Sequence, residues 1–303
     1  MMKKREFHAD IPKAISSLES AMKKFLIRRI LWRVIFRGKG LEFDQYRDYS
    51  PDEDAENIDW KASARANKLL AKQYIEERDL NIIFVIDVGD NMVFGSQQKL
   101  KCEYATEVAA ALAHLVLISG DKVGFVLYSN KVLYNVKAKA SRNHLHFFTS
   151  ILTNPENYGR ASDLKGTLEY LMDFFDNSIS AVFILSDFVN VDASYEKIIK
   201  NFSAKFETVA VTIRDPLDFQ LPNIGQEVVL EDPRTGRQMV VNPKVIRDRY
   251  EANALEQEQF VKKLFTDAGA DFIDFSTQQS FAPRMAAFLK QRVLKKEYIL
   301  PRR

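Results

Sequence analysis

Three short segments place oxygen-bearing side chains where strands should end. Asp87-Val88-Gly89-Asp90-Asn91 follows the apolar run from Ile82 to Ile86, Gly159-Arg160-Ala161-Ser162-Asp163 precedes a stretch of helical spacing, and Ser186-Asp187 closes the run from Ala181 to Leu185. Carboxylate, amide and hydroxyl oxygens gathered in this way suit a hard divalent cation such as magnesium. An aspartate just past a strand is equally at home as a turn former or helix N-cap, so spacing alone leaves both readings open.

Catalytic readings fit less well. A haloacid-dehalogenase-like phosphohydrolase would use Asp87 as nucleophile and want a second aspartate two residues later as acid/base, but that position is Gly89. Gly38-Lys39-Gly40 lacks the spacing of a phosphate-cradling loop, and no G-x-G-x-x-G follows the first strand. His144 and His146 are two residues apart on a helix and so point to different sides, which disfavours a zinc pair. There is no G-x-S-x-G elbow, and the single cysteine, Cys102, reads as a buried structural residue with only Lys99 and Lys101 as basic neighbours.

The elements that must position these residues alternate between helix and strand. Asn81–Asp87, Lys122–Tyr128, Ala181–Asp187, Glu207–Ile213 and Asp271–Phe275 are continuous apolar runs, the pattern of strands covered on both faces. Ser129-Asn130 suits a tight hairpin into an antiparallel edge strand, Val132–Val136. Helical spacing covers Lys99–Ser119, Asn143–Leu152, Leu164–Phe175, Tyr195–Phe202 and Val245–Ala268, with Gly120 as a C-cap. The expected class is a doubly wound, mostly parallel α/β sheet. In such sheets the functional surface lies at the carboxyl ends of the strands, which puts Asp87, Ser162 and Asp187 on one rim. Residues 226–241, with Asp232-Pro233-Arg234-Thr235-Gly236 in the middle, interrupt the alternation as a protruding β-hairpin.

Ahead of the sheet, Leu18, Met22, Leu26, Ile30 and Val34 recur at i+4, predicting an amphipathic helix from Pro12 to about Phe36. Extended chain and loop are expected to Asn57, and a short strand from Leu69 to Tyr74. Residues 1–40 carry 11 Lys/Arg against 3 Asp/Glu, whereas the whole chain is only +3, so the basic character is local. Such a segment can meet an anionic membrane surface, a nucleic acid or an acidic partner. The stretch from Phe25 to Phe36 is broken by three arginines and falls short of the ~20 apolar residues that span a bilayer. One cysteine and no secretory signal point to the reducing cytoplasm.

Residues 38–79 add a longer and more specific pattern. Gly40-Leu41-Glu42-Phe43, Arg47-Asp48-Tyr49-Ser50-Pro51-Asp52-Glu53-Asp54, Ile58-Asp59-Trp60-Lys61-Ala62-Ser63-Ala64-Arg65 and Glu76-Glu77-Arg78-Asp79-Leu80 follow one another in order. Together they resemble the signature of the domain of unknown function 58 family. The resemblance extends over residues 30 to 292 through the strand ending at Asp87, the Gly120–Gly124 turn and the Asp232–Gly236 segment.

It implies a von Willebrand factor type A domain (residues 80–293) behind an N-terminal extension (1–79) and ahead of a basic tail (294–303). It also implies a non-enzymatic role as accessory to a MoxR-type AAA+ ATPase and its client, in assembly or maturation of other complexes, with no nucleic acid as partner. A metal-ion-dependent adhesion site of that superfamily would map onto Asp87, Asn91, Ser162 and Asp187, holding Mg2+, Mn2+ or Ca2+. The partner would be met by Gly89, Asp90, Asp163, Arg47 and Arg65, although Arg47 and Arg65 can equally form salt bridges with Asp59 and its neighbours inside the extension. Gly89 stands where the superfamily has a hydroxyl ligand, which makes the site degenerate; Asp90 and Asp163 are the nearest compensating carboxylates. Trp60 is expected to anchor the extension on the main domain. The alternatives are an uncharacterised hydrolase, or a peripheral binder of nucleic acid or anionic membrane through the basic N-terminal helix.

Overall fold

The computed structural model describes residues 7–23, 42–50, 58–75, 80–231 and 237–297. In chain order these form α1 (Ile11–Lys23), β1 (Glu42–Asp48), α2 (Trp60–Ala66), β2 (Leu70–Ile75), β3 (Asn81–Asp87), α3 (Lys101–Ile118), β4 (Lys122–Tyr128), β5 (Val132–Lys139) and α4 (Arg142–Leu152). There follow α5 (Leu164–Phe174), β6 (Ala181–Ser186), α6 (Glu196–Lys205), β7 (Thr208–Arg214), β8 (Val228–Glu231), β9 (Gln238–Val241), α7 (Pro243–Asp267), β10 (Asp271–Ser276) and α8 (Phe281–Glu297).

The central sheet runs β10-β7-β6-β3-β4-β5. All its pairings are parallel except β4 with β5, the antiparallel edge that the Ser129-Asn130 turn predicts. β3, β4, β6 and β7 bury residues on both faces, as their unbroken apolar runs require. One face packs Leu18 of α1, Val108 and Leu112 of α3, Phe148 of α4 and Met285 of α8; the other packs Leu168 of α5, Phe202 of α6 and Phe265 of α7. α3 is buried almost all round because α1 lies over it, and the small side chains of Ala109, Ala110, Ala111 and Ala113 keep that helix thin enough for close approach.

Several elements differ from the sequence reading. The extended segment after Gly40 contains β1, which pairs antiparallel with β2, Arg47 opposite Ala71. Lys61–Ala66, left undefined by its pattern, is α2: Asp59 caps it by accepting Ala62 N at 3.0 Å, and Asn67 ends it in the left-handed region at φ 50°. α8 lies beyond the helices that the spacing predicts, because its charges and low mean hydropathy blur the apolar stripe of Phe281, Ala282, Met285, Ala286 and Leu289. The expected helix is present over α1; residues 24–36 lie outside the described residues. β8 and β9 form the expected hairpin, whose turn, Asp232–Gly236, also lies outside them.

Trp60 corrects the expectation attached to it. It is the first residue of α2 and is 67% exposed, because the helix turns Ser63 rather than Trp60 toward β2, where the Ser63 hydroxyl accepts Leu70 N at 2.9 Å. Among the described residues, no helix is long and apolar enough to cross a membrane.

Candidate functional site

Side-chain alternation builds the site. Ile83 and Val85 of β3 face the α5–α7 layer, so Asp87, two residues further, points the same way; on β6 the same holds for Val182, Ile184 and Ser186. The parallel register, Ile86 beside Leu185, sets the two strand ends side by side. Here the sheet order also reverses, with β4 on one side of β3 and β6 on the other. Open α/β sheets form their binding crevice at such a switch point.

The loop before α5 is tied to the same place. Gly159 takes φ +94° and donates its N–H to Val88 O at 3.1 Å, and Asp90 N donates to Arg160 O at 2.6 Å. Ser162 is thereby brought over the Asp87 carboxylate. Asp87 Oδ2 accepts from Ser186 Oγ at 2.7 Å, Ser162 Oγ at 3.0 Å and Asn91 Nδ2 at 3.2 Å, while Oδ1 accepts Gly89 N at 2.8 Å. Asn91 Nδ2 also donates to Asp187 Oδ1 at 2.8 Å, an oxygen that accepts Val189 N at 3.1 Å.

The second oxygen of Asp187 meets a residue that the sequence reading did not assign. Lys101, in the first turn of α3, places Nζ 2.7 Å from Asp187 Oδ2 and 3.1 Å from Asp218 Oδ2, beneath the ring of Phe94. The Lys101 side chain is 3% exposed and that of Asp187 1%. A cation in the first helical turn is opposed by the helix dipole, so the two carboxylates are what hold it there. Burial pulls the lysine pKa down, but Asp187 and then Asp218 outweigh it and hold it above the usual value. Asp87 goes the other way from its ordinary carboxylate range: burial, then the neighbouring Asp187 charge, push it up to about 6, against the hydrogen bonds from Ser186, Gly89 and Asn91.

The implied cation can be tested against this donor set. Each of the four carboxylate oxygens of Asp87 and Asp187 already accepts a hydrogen bond from the protein. Asn91 turns its amide nitrogen, not its oxygen, toward both aspartates; Asn91 Oδ1 is buried without a partner and is the main oxygen left over. Gly89 has no room for the hydroxyl ligand that the superfamily pattern has there. A Cβ would lie 2.4 Å from Asn91 Oδ1, 2.8 Å from Ser162 Cβ and 2.9 Å from Asp87 Oδ1. Among the described residues no three His, Cys, Asp or Glu side chains are grouped to hold a metal ion. An octahedral or larger oxygen shell does not fit the cluster as it is arranged.

The structure thus brings together Asp87, Asn91, Ser162 and Asp187, with Gly89 buried among them as the point of close approach rather than a contact surface. Asp90 and Asp163 lie on the surrounding loops, but their side chains serve local turns: Asp90 Oδ1 accepts Asn91 N, and Asp163 caps α5 through Gly166 N. Arg47 and Arg65 sit on β1 and α2, outside the central sheet that carries Asp87. Ser186, Lys101 and Asp218 complete the cluster. A lysine in the first turn of a largely buried helix, against the dipole, is the signal that could have found Lys101. Asp218 follows the next strand end, as Asp187 follows β6.

Sequence and structure comparisons relate this chain to known proteins. An uncharacterized protein of Mycobacterium tuberculosis (strain H37Rv) is 26% identical over 261 residues, covering 84% of this chain and 80% of that protein. Among solved structures, the conserved hypothetical protein BatB from Bacteroides thetaiotaomicron superposes with a TM-score of 0.50 at 13% identity, covering 72% of this chain and 99% of that one. It shares the fold. A von Willebrand factor type A protein from Catenulispora acidiphila covers 75% of this chain and 44% of that one, at 12% identity and a TM-score of 0.35. The model of the family "Protein of unknown function DUF58" matches residues 45–260, from β1 through the switch-point cluster into α7, and on that span the chain belongs to this family.

Proposed function

We propose that the protein is a non-enzymatic interaction module that engages a protein partner at the carboxyl-end rim of its sheet. One contrast carries this reading. The ionisable groups at the switch point are buried and consumed by one another, while the loops around them expose Phe94, Val189, Arg160 and Asp163. A hydrolytic nucleophile must reach substrate, yet Asp87 is 1% exposed with both oxygens held by protein donors. An exposed, mixed apolar and charged rim over a rigid polar support is a recognition surface. The resemblance to proteins that accompany MoxR-type AAA+ ATPases supplies the partner class, with assembly or maturation of other complexes as the task and the cytoplasm as the place.

The test is binding of the purified chain to the MoxR-type ATPase of the same genome. Val189→Asp and Arg160→Glu alter exposed side chains, so both variants should keep the wild-type melting temperature and bind the ATPase at least tenfold more weakly. Lack of any complex, or variants that bind like wild type, would remove this rim as the docking surface.

A further inference from the structure

We infer that the Lys101 ammonium is a built-in replacement for the divalent cation of an adhesion-type site, so that the rim is held ready for its partner without metal. This rests on the rim being the partner surface. Asp87 and Asp187 are buried side by side and need a positive charge nearby, since two uncompensated carboxylates cannot both stay ionised in a dry site. Lys101 reaches across from the start of α3 to supply it, with Nζ 2.7 Å from Asp187 and 3.1 Å from Asp218.

Three further features agree with an ammonium rather than a metal ion. Gly89 leaves the space that Asn91 Oδ1 fills. Asn91 bridges the two aspartates with N–H donors, an orientation a coordinated cation would repel and an ion-free pair of carboxylates attracts. Ser162 Oγ, Ser186 Oγ and Asn91 Nδ2 all donate to Asp87 Oδ2, so that oxygen is taken up by protein donors rather than left for a metal.

Titration calorimetry and thermal melts with manganese or magnesium chloride, and with EDTA, decide this on the isolated chain. The wild type should show no saturable heat and no shift in melting temperature at millimolar metal. Lys101→Met and the milder Lys101→Gln remove the ammonium and leave Asp187 and Asp218 without the cation they share, so a folded variant should gain metal-dependent stabilisation of several degrees. Saturable binding by the wild type that Asp187→Asn abolishes overturns the inference, as does a folded Lys101 variant indifferent to metal; if neither variant folds, the wild-type titration decides alone. The partner reading is separable. An ATPase complex that forms but is dissolved by EDTA defeats the metal-free site and leaves the rim standing, whereas absence of a complex leaves the calorimetric result untouched.

Discussion

Glu103 accepts the backbone N–H of His8 at 2.6 Å through one carboxylate oxygen and that of Leu100 at 2.9 Å through the other, so one buried side chain both starts α3 and docks the segment leading into α1. One turn on, Glu107 does the same for Asp10 N at 2.7 Å and is neutralised by Lys99. Hydrogen bonds to a charged group contribute about 1.5–3 kcal/mol each. Glu103→Ala should therefore lower stability by about 3–6 kcal/mol in urea unfolding, with early loss of hydrogen-exchange protection in α1. Unchanged protection there would mean that the apolar contacts of Leu18 and Met22 hold α1 by themselves.

Gly89→Ser restores the residue type that an adhesion-type metal site has at this position, but the added side chain meets Asn91, Ser162 and Asp87 well inside contact distance. Forcing atoms into a packed site costs about 1–3 kcal/mol. The variant should melt lower than wild type and gain no response to manganese. A stabilised variant would show that the loop relaxes more freely than its hydrogen bonds to Arg160 and Val88 suggest.

Cys102 faces the core, and burial, followed by the charge of Glu103, pushes its thiol up to about 12. It should resist alkylation at neutral pH until the protein unfolds. The sign of the linked pH effect follows from which state keeps the proton. Above about pH 9 the unfolded thiol ionises while the folded one stays protonated, so stability falls by about 1.4 kcal/mol per pH unit as pH rises toward the folded value. Cys102→Ala should remove that part of the alkaline slope in urea titrations at pH 8, 9 and 10; an identical slope would assign it to the buried tyrosines Tyr104, Tyr128 and Tyr158, which shift in the same direction.

Trp60 is exposed at the start of α2, capped by Asp59 rather than held by the sheet. Trp60→Ala should leave the melting temperature within the range of a surface substitution, about ±0.5 kcal/mol. A loss several times larger would show that the ring is covered in solution by a contact of this chain.

The amino-acid sequence alone determined the central sheet, because strands buried on both faces leave an unmistakable record: Ile82–Ile86, Val123–Leu127 and Ala181–Leu185 have no polar residue to offer solvent. The terminal aspartates follow from the same record, since a strand that ends in Asp87 or precedes Asp187 puts a carboxylate at the rim whatever its neighbours do. Trp60 and Lys101 could not be read this way. Whether a large ring is an anchor depends on which face of a two-turn helix meets β2, and that was decided by Ser63 and the Asp59 cap. Which cation answers Asp187 depends on a residue 86 positions away whose side chain arrives only when α3 packs across the end of β6. Local patterning fixes where a charge lies along its own element, but its partner is set by packing between elements, and buried charges are settled by their partners.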